Sequence, residues 1–166
     1  MPAVSHSPVP DLDSQAARLV ATLTRRGETV AAAESLTAGL VCATLARIPG
    51  ASAVLRGGLV VYATELKHVL AGVDEELLAA RGAVDPEVAA QLAAGARDRC
   101  GATWGLGLTG VAGPSAQDGA APGTVHLGLR GPSGQTVRTL VLTGDRDAVR
   151  TGSVSAAFTL LEEQLD

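Results

Sequence analysis

Lysine is almost absent from this chain. Lysine and arginine together number 13, and Lys67 is the only lysine. A guanidinium stays protonated in essentially any protein site, whereas an ammonium group can lose its proton when it is buried or lies near other positive charge. A composition that uses arginine elsewhere but lysine here suggests a position that needs a tunable amine. The alternative is that one lysine persists by chance in an arginine-biased chain.

Aromatic residues are also scarce, at 2% of the chain against 46% hydrophobic residues, so the core must be built from Ala, Val and Leu. Such small side chains suit close packing of helices on a sheet. Cys42 and Cys100 lack CxxC spacing, which favours buried thiols in a reducing compartment over a disulfide or a metal site. The 3 scattered histidines also argue against a catalytic metal.

Long apolar runs and excess positive charge are missing as well. No stretch of about 18 apolar residues runs without a charge, so we expect no transmembrane helix and no membrane partner. The net charge of -4 argues against a broad nucleic-acid surface but leaves room for a pocket that binds one phosphate. Residues 1–10 lack the features of a signal peptide and are predicted to be a disordered lead-in to a single cytoplasmic domain over residues 11–166.

Helical and strand patterns alternate along this domain. They predict an α/β fold, a three-layer α/β/α sandwich on a mixed, mostly parallel sheet, with one late antiparallel hairpin. Strands are predicted over residues 29–33, 53–62, 103–108, 124–129 and 136–142, and helices after Asp11 or Asp13, over 37–47, 64–70, 74–80 and 86–99, and from Asp145.

Ser35 lies at the first strand-to-helix junction, within the pattern Glu-Ser-x-Thr-x-Gly. The carboxyl ends of strands are where ligands bind in open α/β sheets, and a helix N-terminus there offers N–H donors for an oxyanion or a phosphate. The alternative is that Ser35 is a helix N-cap, a role for which Thr37 competes.

Tyr62 and Lys67 fall where a strand ends and a helix begins. A serine hydroxyl is a weak nucleophile and needs a base, which a lysine of depressed pKa or a tyrosine activated by it can supply. The alternatives are a half-buried tyrosine with a solvated hydroxyl and a surface lysine. Nothing in the sequence supports a Ser-His-Asp triad with His6, His68 or His126.

Two further segments suit ligand binding. The loop over residues 109–123 is long and begins Thr109-Gly110-Val111-Ala112-Gly113-Pro114, so its backbone can approach a ligand closely, or it is a simple glycine-rich turn. Arg146 and Arg150 share one face at the start of the last helix and can grip an anion, or they belong to a salt-bridged helix start.

Together these segments resemble the CinA C-terminal domain family, the PncC-type nicotinamide-nucleotide amidases, in a stand-alone form. The matching pieces span about residues 31–150, and their joint order and spacing are specific. In order they are Ala33–Leu40, Pro49–Ser52, Gly57-Gly58 with Tyr62 and Lys67, Gly82–Val84, Thr109–Pro114, Gly123–Val125, and Gly144–Arg146 with Arg150.

The resemblance implies hydrolysis of nicotinamide mononucleotide to nicotinate mononucleotide and ammonia through an acyl-enzyme, with no cofactor or metal and in a homodimer. Ser35 would attack the amide carbon, and Tyr62 and Lys67 would move protons, with the immediate base left open. The Thr109–Pro114 loop and Arg146 would hold the ribose phosphate. The residues implied in substrate binding are Thr37, Gly39, Gly58, Thr109, Gly110, Gly113, Arg146 and Arg150.

The chain departs from the family pattern at Leu36 and Ala38, at Thr64, where asparagine is usual, and over Ser115–Gly119, which lacks the usual glycine cluster. Three alternative functions follow: a nucleotide-binding module that has lost activity, an amidase on another small carboxamide, and a structural or DNA-uptake partner. Intact Ser35, Tyr62 and Lys67 argue against the first, and the acidic composition gives the last little support.

Overall fold

The computed structural model describes residues 9–166; most of the lead-in predicted over residues 1–10 therefore lies outside the described residues. The elements in chain order are α1 (Leu12–Arg26), β1 (Val30–Glu34), α2 (Leu40–Ala46), β2 (Leu55–Val60), α3 (Thr64–Ala71), α4 (Glu75–Arg81), α5 (Pro86–Cys100), β3 (Trp104–Gly110), β4 (Thr124–Gly131), β5 (Gly134–Val141) and α6 (Arg146–Leu165). None of the helices in the described range has the uninterrupted apolar length of a bilayer span.

The strands form one sheet in the order β2-β1-β3-β4-β5. Strand β1 pairs in parallel with β2 and β3, whereas β4 is antiparallel to both of its neighbours. Only β4 therefore runs against the other four strands, which confirms the predicted mixed sheet and its late hairpin. The carboxyl ends of β1, β2 and β3 meet at one edge of the sheet.

Helices cover both faces of the sheet. Alternate residues of β1 point to opposite sides, so Val30 and Ala32 join the core beneath α1, α2 and α6, while Ala31 and Ala33 join the core beneath α3, α4 and α5. The predicted three layers are therefore present, with a core on each side. The cysteines, each half-buried and free, divide in the same way, with Cys42 in the first core and Cys100 in the second.

Helix α5 packs so closely on the sheet that backbone atoms of the two elements are in contact, because glycines of the sheet face the helix. A Cβ at Gly107 or Gly128 would overlap the carbonyl of Ala89, and a Cβ at Gly95 would overlap the carbonyl of Ala71 in α3. This close approach explains how a core with so few aromatic residues is filled. It also brings α3, which carries Lys67, against α5.

The predicted helix over residues 37–47 is wrong at its start. Ala38 and Gly39 adopt left-handed φ angles of 48° and 98°, so a turn follows Ser35 and α2 begins at Leu40. The strand predicted over residues 53–62 is also too long. A 3₁₀ turn occupies Ala51–Ala53 before β2 begins at Leu55.

We expect Gly95→Ala to lower the free energy of unfolding by about 1–3 kcal/mol, since the added methyl group meets a backbone carbonyl that cannot move aside. Gly152→Ala in α6 is the matched control, because its methyl group would meet only the flexible tip of Leu142, at 3.1 Å. Higher helix propensity should keep this variant within about 1 kcal/mol of the parent. Urea denaturation measures both, and equal effects would contradict the packing argument.

Candidate active site

A cleft of about 390 Å³ opens at the edge of the sheet where the three parallel strands end. This is the position at which open α/β sheets bind ligands. The cleft is lined by Ser35 and Leu36 after β1, Tyr62 after β2, the segment from Gly110 to Gln117 after β3, and Arg146 at the start of α6.

Ser35 and Lys67 meet at the base of this cleft. The Lys67 Nζ atom lies 2.9 Å from Ser35 Oγ, and it donates hydrogen bonds to the carbonyls of Val61 at 2.7 Å and Tyr62 at 3.3 Å. Lys67 is 1% exposed and Ser35 is 8% exposed. The interpretation of the lone lysine as a surface residue is therefore wrong, and the amine lies where a serine can exchange a proton with it.

Burial lowers the pKa of Lys67 to about 8, and this effect exceeds the opposing attraction of the Asp118 and Glu65 carboxylates. The three oxygen acceptors around Nζ satisfy the three N–H groups of the ammonium form, and two of these acceptors, the carbonyls, also serve the neutral amine. An NH₂ group that donates to Val61 and Tyr62 keeps its lone pair for the Ser35 hydroxyl. The site thus holds an amine that can change its charge near neutral pH.

Glu34 fixes the turn that carries Ser35, a role that the sequence analysis missed. Its buried carboxylate accepts hydrogen bonds from the N–H groups of Val41 at 2.8 Å and Cys42 at 3.2 Å, at the start of α2. Ser35 donates its own N–H to the carbonyl of Leu108 in β3. Ser35 is therefore not the N-cap of α2, since Glu34 supplies that acceptor. The available signal was an acidic residue at the end of an apolar strand.

Arg146 and Tyr62 meet across the rim of the cleft. The guanidinium donates to the carbonyl of Gly113 at 2.7 Å and to the hydroxyl of Tyr62 at 2.8 Å. Tyr62 is 55% exposed, and only its backbone carbonyl contacts Lys67. The Tyr62 hydroxyl is thus engaged by Arg146 rather than by the amine.

The remaining predicted substrate residues divide between the cleft and its supports. Gly110 and Gly113 line the cleft. Thr109 is buried and donates to the carbonyl of Ala83, and Gly58 packs against the Cys42 thiol. The other three form or support the turn after Ser35: Thr37 is buried within it, Gly39 ends it, and Arg150 of α6 donates to its carbonyls.

The far wall of the cleft is the loop between β3 and β4, which the sequence analysis predicted as a candidate binding loop. The carboxylate of Asp118 accepts a hydrogen bond from the N–H of Ala83 at 2.9 Å and ties this loop to the segment after α4. His68 and His126 bond elsewhere, to the Val73 carbonyl and the Thr139 hydroxyl. Within residues 9–166, no cluster of His, Cys, Asp and Glu side chains is arranged to hold a metal ion.

Comparison with known proteins identifies the family. The family model described as the CinA C-terminal domain matches residues 12–165. The chain belongs to this family. It is 50% identical over 153 residues to a CinA-like protein of Frankia casuarinae and 51% identical over 144 residues to one of Anaeromyxobacter sp. strain K. These alignments cover 92% and 86% of this chain but 35% of each relative, so the chain spans about a third of the length of these curated relatives.

Solved structures of CinA proteins share the fold. The competence/damage-inducible protein CihA of Agrobacterium tumefaciens has a TM-score of 0.89 at 33% identity, with 97% of this chain and 100% of that chain covered. A CinA superfamily protein of Klebsiella pneumoniae has a TM-score of 0.90 at 28% identity, with 94% and 98% covered. The family and the fold predicted from the sequence are both confirmed.

The single lysine makes its protonation directly measurable. Lysine-selective ¹⁵N labelling should give one side-chain resonance, and we expect its NMR titration midpoint at about 8 rather than at the ordinary 10.5. Because the unfolded chain binds this proton more tightly, the contribution of Lys67 to the free energy of unfolding should rise with pH between these two values.

Ser35→Ala is the control for this titration, since it removes one partner of the amine but leaves the amine buried. In this variant the titration midpoint of Lys67 should also stay below the ordinary value of 10.5. A midpoint near 10.5 in the unaltered protein would contradict the assignment of a tunable amine.

Proposed function

We propose that this domain is an amidase that hydrolyses the carboxamide of nicotinamide mononucleotide, giving nicotinate mononucleotide and ammonia. The observation that carries the proposal is the buried contact of 2.9 Å between Lys67 Nζ and Ser35 Oγ. A serine beside an amine that can be neutral near physiological pH is a nucleophile with its own base. The resemblance of the sequence motifs to the nicotinamide-nucleotide amidases supports the choice of substrate.

In the proposed reaction, neutral Lys67 takes the proton from Ser35 Oγ as that oxygen attacks the carboxamide carbon. The carbonyl oxygen becomes an oxyanion, and the tetrahedral intermediate collapses as the C–N bond breaks. The Lys67 ammonium returns its proton to the leaving nitrogen, which departs as ammonia. Water then attacks the acyl-enzyme with Lys67 again as base, and Ser35 is regenerated with the release of nicotinate mononucleotide.

We assign the immediate base to Lys67 rather than to Tyr62. The amine contacts Ser35 Oγ, whereas the Tyr62 hydroxyl accepts a hydrogen bond from Arg146. In this assignment Tyr62 helps to orient the Arg146 guanidinium at the rim of the cleft.

Arg146 is the proposed phosphate contact. Its two acceptors, the Gly113 carbonyl and the Tyr62 hydroxyl, are uncharged, so neither neutralises the guanidinium. A cation held at the rim, opposite Ser35 at the base, suits a substrate with an anionic group at one end and a carboxamide at the other. An amidase for an uncharged carboxamide would have no use for this charge.

Purified protein should release ammonia from nicotinamide mononucleotide without added metal, and Ser35→Ala should abolish this release because no acyl-enzyme can form. Mass spectrometry of the rapidly quenched reaction should show a nicotinoyl-nucleotide adduct on the unaltered protein and none on the variant. Full activity in Ser35→Ala would show that water attacks directly and would remove Ser35 as nucleophile.

Lys67→Arg serves as the matched variant in the same assay, since arginine keeps the charge but cannot give up its proton. It should lack turnover, with circular dichroism used to verify that the fold is retained. A folded, unaltered protein that releases no ammonia would instead favour an amidase on another carboxamide or a binding module, and Thr64 would be the first residue to revert to asparagine.

Arg146→Ala should raise the KM for nicotinamide mononucleotide by about tenfold or more, because one charge-assisted contact to the phosphate is lost. The kcat/KM for nicotinamide riboside, which lacks the phosphate, should change much less. Tyr62→Phe is the control: it keeps the ring and removes only the hydroxyl that contacts Arg146. Equal losses on both substrates in Arg146→Ala would contradict a phosphate-binding role.

A further inference from the structure

Arg150 lies one helical turn after Arg146 but binds protein backbone. Its Nε atom donates to the carbonyl of Leu36 at 2.9 Å, and its Nη2 atom donates to the carbonyl of Thr37 at 3.0 Å. The Arg150 guanidinium of α6 therefore binds the carbonyls of the two residues that follow Ser35. The resemblance implied a substrate contact for Arg150, but the structure directs its guanidinium to this turn.

The guanidinium sets the orientation of the peptide between Leu36 and Thr37. A trans peptide is planar, so its carbonyl and its N–H point in opposite directions. With the Leu36 carbonyl turned toward Arg150, the Thr37 N–H is turned away from it. The second bond, to the Thr37 carbonyl, keeps the next peptide from rotating.

Three donors of this turn are left unpaired in the part of the chain that the structure describes. The N–H groups of Leu36 and Thr37 reach no protein acceptor there, although those of Ser35 and Ala38 do. The Thr37 hydroxyl is buried and likewise has no partner among the described residues. Buried donors are rarely left unsatisfied in native proteins. Leu36 lines the cleft beside Ser35, so its unpaired N–H indicates a place where a ligand oxygen can bind, whereas Thr37 is buried and does not line the cleft.

The acyl-enzyme route that the resemblance implies stabilises the oxyanion of the tetrahedral intermediate with backbone N–H groups near Ser35, and the Leu36–Thr37 segment carries such groups. We propose that Arg150 is the positioning residue that orients this segment. This inference rests on the proposed serine acyl-enzyme route. Arg150 does not line the cleft, and in this proposal it acts through the backbone carbonyls that it binds. Donors held in place before the reaction stabilise charge as it develops, without reorganisation at that moment.

Steady-state kinetics on nicotinamide mononucleotide separates this role from substrate binding. Arg150→Ala should lower kcat by about 10²–10³-fold, the loss typical of a damaged oxyanion hole. Its KM should stay within about threefold, because ground-state contacts are unchanged. Arg150→Lys keeps the charge but cannot donate to both carbonyls with one planar group, so its kcat should lie between those of Arg150→Ala and the unaltered protein. Arg138→Ala is the control, since it removes an arginine whose partner, Glu163, lies on the exposed surface.

A second measurement does not depend on the nucleotide. Ser35 should add to 3-pyridylboronic acid, with its proton passing to Lys67, and the trigonal boron should become a tetrahedral boronate whose oxygen occupies the oxyanion site. The ¹¹B NMR signal of this adduct should appear with the unaltered protein and vanish in Ser35→Ala. In Arg150→Ala its affinity should fall by about tenfold or more, while the affinity for nicotinate mononucleotide stays unchanged.

The outcomes distinguish the two proposals. Ammonia release with unchanged kcat in Arg150→Ala would overturn the oxyanion assignment and leave the amidase proposal intact, and a raised KM alone would return Arg150 to substrate binding. An Arg150-dependent boronate adduct without nucleotide turnover would support the oxyanion site and overturn the proposed substrate. The absence of both adduct and turnover would overturn both. If Arg150→Ala is unfolded by circular dichroism, Arg150→Lys decides by the same readouts.

Discussion

The burial of one amine is the constraint on which the rest of the site depends. Lys67 is 1% exposed, and its Nζ atom has three oxygen partners, the Ser35 hydroxyl and the carbonyls of Val61 and Tyr62. A buried charge that lacks such partners is strongly unfavourable. The ends of β1 and β2 and helix α3 must therefore keep their relative positions. The close contact between Gly95 of α5 and Ala71 of α3 holds that helix in place. The same burial that costs stability lowers the pKa of the amine to about 8.

Much of this arrangement could be predicted from the sequence. Patterns local to each segment indicated the alternating elements, the late hairpin and the lone lysine near Ser35. The order of the motifs along the chain indicated the family. These signals are readable because a strand, a turn or a motif depends on neighbouring residues, and because the carboxyl ends of parallel strands converge whatever the details of packing.

The contacts that the sequence did not predict join distant segments. Glu34 looked like part of a motif, yet it caps α2. Arg150 looked like an anion ligand, yet it holds the turn after Ser35. Tyr62 looked like a partner of Lys67, yet its hydroxyl meets Arg146. In each case the side chain has the chemistry for either role, and only the packing of α2 and α6 against the sheet decides which partner lies within reach. The left-handed Ala38 is a similar case, since its residue type favours the helix that was predicted there.

Arg150 binds the turn after Ser35 across a long stretch of sequence: it lies 114 positions after Leu36 and 113 positions after Thr37. Contacts of such separation close large loops, carry a high entropic cost and slow folding. During synthesis, the sheet strands β1, β2 and β3 and the Ser35–Lys67 pair emerge from the ribosome long before α6 does. A nascent chain can therefore bury its amine before α6 is present, but its cleft has neither the rim cation nor the hydrogen bonds from Arg150 until α6 docks, so this distant helix completes the cleft.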